Sequence, residues 1–562
     1  MNSKSFLAIG ILGALTLTGC SKKMNPFASD YFSVNPDPLE VVGEQVPATV
    51  TARVPAKFFK KNATVTVTPY LTYAGGEAAS QSYTFQGEKV RGNAPVVNYE
   101  RGATLTIPVA FKYNPEMMTS QLYLAFSVTQ GGKKYVLPRV KVADGVVATA
   151  ALATAQGVTP AIGADKFQRI INEKYAADIL FLINQANIRP GQLTSAQMEE
   201  LNRELAEANA DSRRQIEEIN IESYASPDGT LEFNTKLAQK REDNTRSYVD
   251  QKLRKDRITD FGALTANFTP EDWEGLKKLV AASNIQDKEL ILSVLSMYKD
   301  PEQREREIRN LSAIFDELAE TILPQLRYSR ITASINVIGK SDDEIEAAYA
   351  QNPSSLTIDE LLYCATLTDD NNRKMAIYND AARIYPGDYR TFNDLGLTQY
   401  IAGDYKAAKA NFQQAARINP QAGEPQMNLA LIAMIDKDYR NANQYLGSAA
   451  GVDELGDALG TYYILTGDNA AAVKAFGNAK TNNAALAQIL TRDYSRAKST
   501  LGAITEPDAT TYYLMAVLGA RTNNDNMVNT NLRQAARLDR EVARRALKDL
   551  EFANYNIGSI LN

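Results

Sequence analysis

"ESYASPDGTLEFNTKLAQKR", residues 222–241, decides how the middle of this chain is read. A β-type run ends at Ala225, a Pro227-Asp228-Gly229 turn follows, and Asn234, Leu237 and Arg241 recur at helical spacing. Pro and Gly mark such turns, and Gly229 tolerates φ > 0 where other residues strain. The start of the helix offers free N–H groups and a positive dipole end, which suit a carboxylate. An arginine leaning back to the turn adds two parallel hydrogen bonds. Two readings stay open: a ligand site, or a junction in which Arg241 pairs with a helix neighbour and Asp228 caps the helix.

The elements on either side give the junction its setting. "ADILFLI" (177–183) reads as a buried strand. Thr194 and Gln197 form a capping box before the stripe Met198, Leu201, Leu205. "EEINIESYA" (217–225) is a second strand and Glu232–Leu253 a second helix, while "DFGALTANF" (260–268) and "SRITASINVIG" (329–339) supply two later strands. Between these last two, Thr269 with Pro270 and Asp300 with Pro301 open helices. Ile308, Leu311, Ile314, Phe315 and Leu318 follow at helical spacing. This predicts a two- or three-helix insertion at about 269–326, packed onto the sheet by the lone Trp273.

Asn184, Ala186 and Pro190 follow the first strand, and Gly229, Asn234, Leu237 and Arg241 follow the second. In this register residues 166–342 resemble the OmpA-like peptidoglycan-binding domain, an α+β fold. The resemblance implies a site for the diaminopimelate of the peptidoglycan stem peptide, with Ser226, Asp228, Gly229, Asn234 and Arg241 as its binding residues. Arg241 matches the family arginine that takes the ligand carboxylate. Ser226 stands where the family has the aspartate that takes the ammonium, Tyr224 replaces the family histidine, and Glu242 replaces an alanine. Asp228 either supplies the missing charge or caps the helix. Tyr224 could stack or donate its hydroxyl.

Residues 30–145 alternate at period two in "ATVTVTPYLTY" (63–73) and "ATLTIPVAFKY" (103–113), with a hairpin signal at Gly131-Gly132. They predict a β-sandwich of immunoglobulin type. Residues 146–165 are rich in small residues and read as a linker. From 343 to 562 the pattern is helical: Phe392, Leu395, Gly396, Gly403, Tyr405, Ala408, Phe412, Ala415 and Pro420, with Leu429 one 34-residue period after Leu395 (429 − 395). This segment resembles tetratricopeptide repeats, which implies an all-α solenoid of five or six units with a concave face for a protein partner. Asn and Arg residues on that inner face are candidate contacts.

The first 20 residues carry Lys4, a short apolar run from Phe6 to Leu17, and Leu17-Thr18-Gly19-Cys20. The run is too short to span a bilayer. It resembles a bacterial lipoprotein signal (1–19), which implies lipidation at Cys20 and a tether over 20–29; a plain secretory signal is the alternative. Ser21-Lys22-Lys23 after the cysteine is neither an inner-membrane retention signal nor an acidic surface-export signal, so the expectation is the periplasmic face of the outer membrane. The net charge of −5, without a basic face, excludes nucleic acid. No histidine is present, which removes His-based catalysis and His metal sites. Of the two cysteines, Cys364 lies in an apolar helical run and reads as a buried thiol rather than a reactive one. "SINVIGKS" (334–341) lacks the first glycine of a phosphate loop, so Ser341 reads as a helix N-cap.

No cofactor, metal or enzyme activity is therefore expected. The expected function is an outer-membrane lipoprotein adaptor that contacts peptidoglycan and docks a protein through its repeats. The alternative is a scaffold subunit of an outer-membrane assembly or secretion complex that does not touch the wall.

Overall fold

The computed structural model describes residues 23–285, 288–310 and 312–561; Cys20 and its signal, and Leu311 of the helical stripe, lie outside them. Among the described residues no helix is long and apolar enough to cross a membrane. The chain divides into two compact units, residues 165–367 and residues 1–164 with 368–562.

The 165–367 unit is built on a four-stranded sheet in the order Ile170–Leu180, Tyr328–Ile338, Arg214–Tyr224, Ala263–Thr269. The first three strands are antiparallel neighbours and the last pair is parallel. Alternation decides the faces. Ile219, Ile221, Ile331, Ala333 and Ile335 point into a core with Met198, Leu201 and Leu205 of helix Ala196–Ala210 and with Val249 and Leu253 of helix Leu231–Lys255. Ser195, rather than Thr194, caps the first of these helices by accepting from the Met198 N–H. The first strand begins at Ile170 and stops at Leu180, before the apolar Leu182-Ile183 pair, which is exposed.

Among the described residues the insertion holds four helices, Trp273–Ala282, Lys288–Met297, Pro301–Arg309 and Ser312–Thr321, rather than the expected two or three. Asp300 caps the third with Pro301 in its first turn, whereas Asp272, not Thr269, caps the first, because Thr269 is still in the strand. Leu276, Val280, Ile291, Leu295, Ile308 and Leu318 give the insertion its own core. Trp273 packs against that core and not against the sheet: Arg304 lies 4.9 Å over its ring, and its indole N–H donates to Glu271 at 2.9 Å.

The unit extends beyond residue 342, the boundary expected from the sequence. Helices Asp342–Gln351 and Ile358–Thr366 each open with a full capping box, Ser341 with Glu344 and Thr357 with Glu360. They are tied into the unit by Arg213–Glu344 at 2.6 Å, Lys340–Glu360 at 2.8 Å and the stacking of Tyr363 on Phe167. Cys364 is buried there.

The other unit opens with a β-sandwich. Strands Phe32–Asn35, Gln45–Val54 and Ala103–Lys112 form one sheet; the second has six strands centred on Ala63–Tyr73, Ser120–Gln130 and Lys133–Gly145. Three and six strands depart from the immunoglobulin arrangement because short strands, Gly76–Ala79 and Val96–Val97, extend the second sheet. Val50, Ile107 and Val109 meet Val65, Leu122, Leu124 and Phe126 in the core. Gly131 and Gly132 both take positive φ, as a type I′ turn requires. The sandwich reaches back into the expected tether: Met24 is buried, and Phe27 stacks on Phe126 at 4.4 Å.

The solenoid has five antiparallel helix pairs, from Tyr389–Ile401 with Tyr405–Ile418 to Ala509–Arg521 with Asp525–Leu538. The helix Asn371–Ile384 precedes them, and two short helices close the array. Two local devices repeat. The residue before each second-helix cap region adopts positive φ, at Gly403, Lys437, Gly467, Arg492 and Asn523, which ends the first helix. Asp404, Asp438, Asp468, Asp493 and Asn524 then cap the second helix through their side chains. Glycine sets the spacing within a pair: a Cβ on Gly396 would meet the Phe412 ring at 2.7 Å, and one on Gly460 would meet Phe476 at 2.6 Å.

Candidate functional site

The junction at 224–241 is closed by the protein's own groups. Thr230 caps the helix, accepting from the Phe233 N–H, so Asp228 does not. Asp228 accepts from Arg327 at 3.0 Å and from the Ser226 hydroxyl at 2.6 Å, and that hydroxyl accepts from Arg327 Nε at 3.1 Å. Arg309 of the insertion donates to the Asp228 carbonyl. Asn234 donates to the Gly229 carbonyl at 3.0 Å and to Glu271 at 3.3 Å. Gly229 does not take positive φ; its need is space, since a Cβ would lie 3.0 Å from Asn234 Oδ1.

Arg241 shares the helix but turns elsewhere. Its Nε donates to the Gln185 carbonyl at 3.0 Å, and its terminal nitrogens donate to the carbonyls of Tyr224 at 2.7 Å and Leu182 at 3.4 Å. Asn184, at φ 56, lies in the bend between Leu182 and Gln185, whose carbonyls accept from Arg241. The guanidinium lies 5.0 Å over the Phe181 ring and the residue is 0% exposed. Burial, reinforced by the charge of Arg327, pushes its pKa down to about 10 against the pull of Asp228. Burial raises the Glu242 carboxyl, with Asp243 adding to the shift. Tyr224 stacks on Tyr328 at 4.7 Å. Ser226, Asp228, Gly229 and Asn234 thus share one cluster, while Arg241 serves as a bracket for the loop after the first strand. Arg327, which sequence reasoning missed, takes the place facing Asp228. It stands about a hundred residues away beyond an insertion, and no local signal marks it.

The second site is the concave face of the repeats, and residues 148–164 lie in it. Asn428 grips the main chain of Ala161 twice, accepting from its N–H at 2.7 Å and donating to its carbonyl at 2.8 Å. Asn393 donates to the same carbonyl at 2.9 Å. Asn483 grips Thr154 in the same two-fold way, at 3.4 and 2.8 Å. Tyr400 donates to the Ala155 carbonyl at 2.5 Å, and Asp394 accepts the Gly163 N–H at 2.7 Å. Arg545 donates to the Ala148 carbonyl at 2.8 Å. The segment read as a linker is therefore a strap that runs from the last repeats to the first. Burial raises the Asp394 carboxyl to about 7, against the opposing Gly163 and Asn393 hydrogen bonds and Arg390. One signal in the sequence could have found the grip: Asp394 and Asn428 are 34 residues apart (428 − 394), the same place in successive repeats.

No family model matches the chain, and no curated protein matches it. Solved structures similar to it include a tetratricopeptide repeat protein from Parabacteroides merdae ATCC 43184, at 12% identity over 46% of this chain and 96% of that one, TM-score 0.29. Another is pilF of Pseudomonas aeruginosa, at 17% identity over 38% and 99%, TM-score 0.28. A third is YrrB, a tetratricopeptide protein with an unusual peptide-binding site, at 19% identity over 37% and 100%, TM-score 0.20. The helical-repeat class of the C-terminal array rests on the helix pairs themselves, their repeated caps and their Gly–Phe contacts.

Proposed function

We propose that this protein is a lipid-anchored scaffold of the bacterial outer membrane that docks a protein partner through its repeats. The observation that carries the reading is the groove in which Asn393, Asn428 and Asn483 hold the main chain of Ala161 and Thr154. An array that binds a polypeptide backbone in this way is a protein-docking device. The junction favours the scaffold over the wall adaptor, because Arg241 is spent on carbonyls and Asp228 on Arg327.

The wall-binding reading keeps one observation in its favour. The order strand, helix, strand, helix, strand, insertion, strand is the order that the OmpA-like resemblance implies. Co-sedimentation of the full chain with purified diaminopimelate-type peptidoglycan separates the two. The scaffold reading expects the protein to stay in the supernatant. Sedimentation that Asp228→Asn abolishes would replace it with the adaptor. The anchor has its own test: Cys20→Ser is expected to move the protein from the membrane to the soluble periplasmic fraction, and retention in the membrane would remove the lipid from the account.

A further inference from the structure

We propose that the concave groove is a peptide site held shut in cis, which a partner opens by replacing residues 153–164 with a segment of its own. The inference rests on reading the array as a protein-docking device and names the site and the occupant. The grip reads the main chain: Asn428 on Ala161, Asn483 on Thr154 and Tyr400 on Ala155 all bond N–H or carbonyl groups. A different sequence can form the same bonds. Selectivity comes from steric limits. Ala155, Val158, Pro160 and Ala161 are the buried side chains of residues 153–164, with a turn closed by the Val158 N–H donating to the Ala155 carbonyl at 3.0 Å. Gly163 leaves no room, since a Cβ there would lie 2.9 Å from Arg390 Cγ. Gln156, Thr159 and Ile162 are exposed and are not read.

The strap also leaves space unfilled. Beside Gly157 and Val158 lies a cavity of about 230 Å³ whose walls include Asp457, Asp508, Thr461 and Asn482. Glycine is the smallest residue that could stand there. A partner segment with small residues at the inward positions, and a lysine or arginine where the strap has Gly157, would make the strap's main-chain bonds and add a contact to these carboxylates. That surplus is what lets it displace a segment already tethered in place.

The test uses the full chain and two labelled peptides, residues 148–164 as they stand and the same with Gly157→Lys, read by fluorescence anisotropy. Ala161→Glu places a charge at a fully enclosed position and dislodges the strap without touching the groove wall. Wild type is expected to bind the lysine peptide and not the unaltered one. The Ala161→Glu protein should bind both, and Asn428→Ala added to it should abolish both. A folded Ala161→Glu protein that binds neither peptide overturns the proposal, as does wild type binding the unaltered peptide as tightly as the variant does. If Ala161→Glu fails to fold, hydrogen exchange decides: the Ala161 and Gly163 amides should be protected in wild type and exchange faster in Asn428→Ala. Equal exchange in the two proteins overturns the proposal. Peptide binding without any protein partner at the membrane would leave the groove site standing and remove the scaffold reading.

Discussion

Arg241→Met replaces an enclosed guanidinium with an apolar side chain and deprives three carbonyls of their donor. The Leu182 contact, at 3.4 Å, is long and contributes little. The Tyr224 and Gln185 carbonyls, at 2.7 and 3.0 Å, lose charge-assisted bonds. A buried acceptor left unsatisfied costs about 1–3 kcal/mol, so the pair costs about 2–6 kcal/mol. Relief from burying a charge offsets part of this, which leaves about 3 kcal/mol. Trp273 is the chain's only tryptophan and lies in the same unit, so its fluorescence during urea unfolding reports on that unit. With a slope of about 2–3 kcal/mol per molar urea, the midpoint should fall by about 1 M. A fall below about 0.3 M would refute the bracket role. Loss of peptidoglycan sedimentation in the same variant would then return Arg241 to ligand binding.

Asp394 predicts a pH dependence. Its carboxyl is raised to about 7 in the folded protein, so the stability it contributes is complete below its ordinary value near 4 and is lost as pH rises through about 7. Thermal melts at pH 5 and pH 8 should therefore differ more in wild type than in Asp394→Asn; equal differences would exclude the group. Arg492 sits at φ 64, where glycine is unstrained, so Arg492→Gly should stabilise the repeats by about 0.5–1 kcal/mol in a thermal melt. Gly396→Ala should cost about 1–3 kcal/mol by forcing Phe412 outward, and a neutral melt would show that the helix pair can spread.

Much of this architecture is legible in single positions. Gly396, Phe412 and Ala415 announce the helix pairs because close packing admits few other residues there, and the alternation of "ATVTVTPYLTY" announces the sheet because one face is buried. The candidate site is less legible. Asn234 and Gly229 meet as their spacing suggests, but the fate of Arg241 depends on where the carbonyls of Leu182 and Gln185 point, and that of Asp228 on an arginine beyond the insertion. The strap is the largest departure. Its Ala-, Gly- and Thr-rich composition resembles a loose linker because the groove selects small residues that carry no periodic signal. Its order is imposed from outside, by asparagines more than two hundred residues away.

The strap also fixes an order of events during synthesis. Residues 148 and 149 bond to Arg545 and Glu551, some four hundred positions downstream, whereas the 165–367 unit is complete once its own residues have been made. Chains fold as they emerge, so the intervening unit can reach its native state first. The strap must wait for the final repeats. A chain cut short near residue 540 would retain a finished central unit, while its strap would have lost the partners that hold its first end.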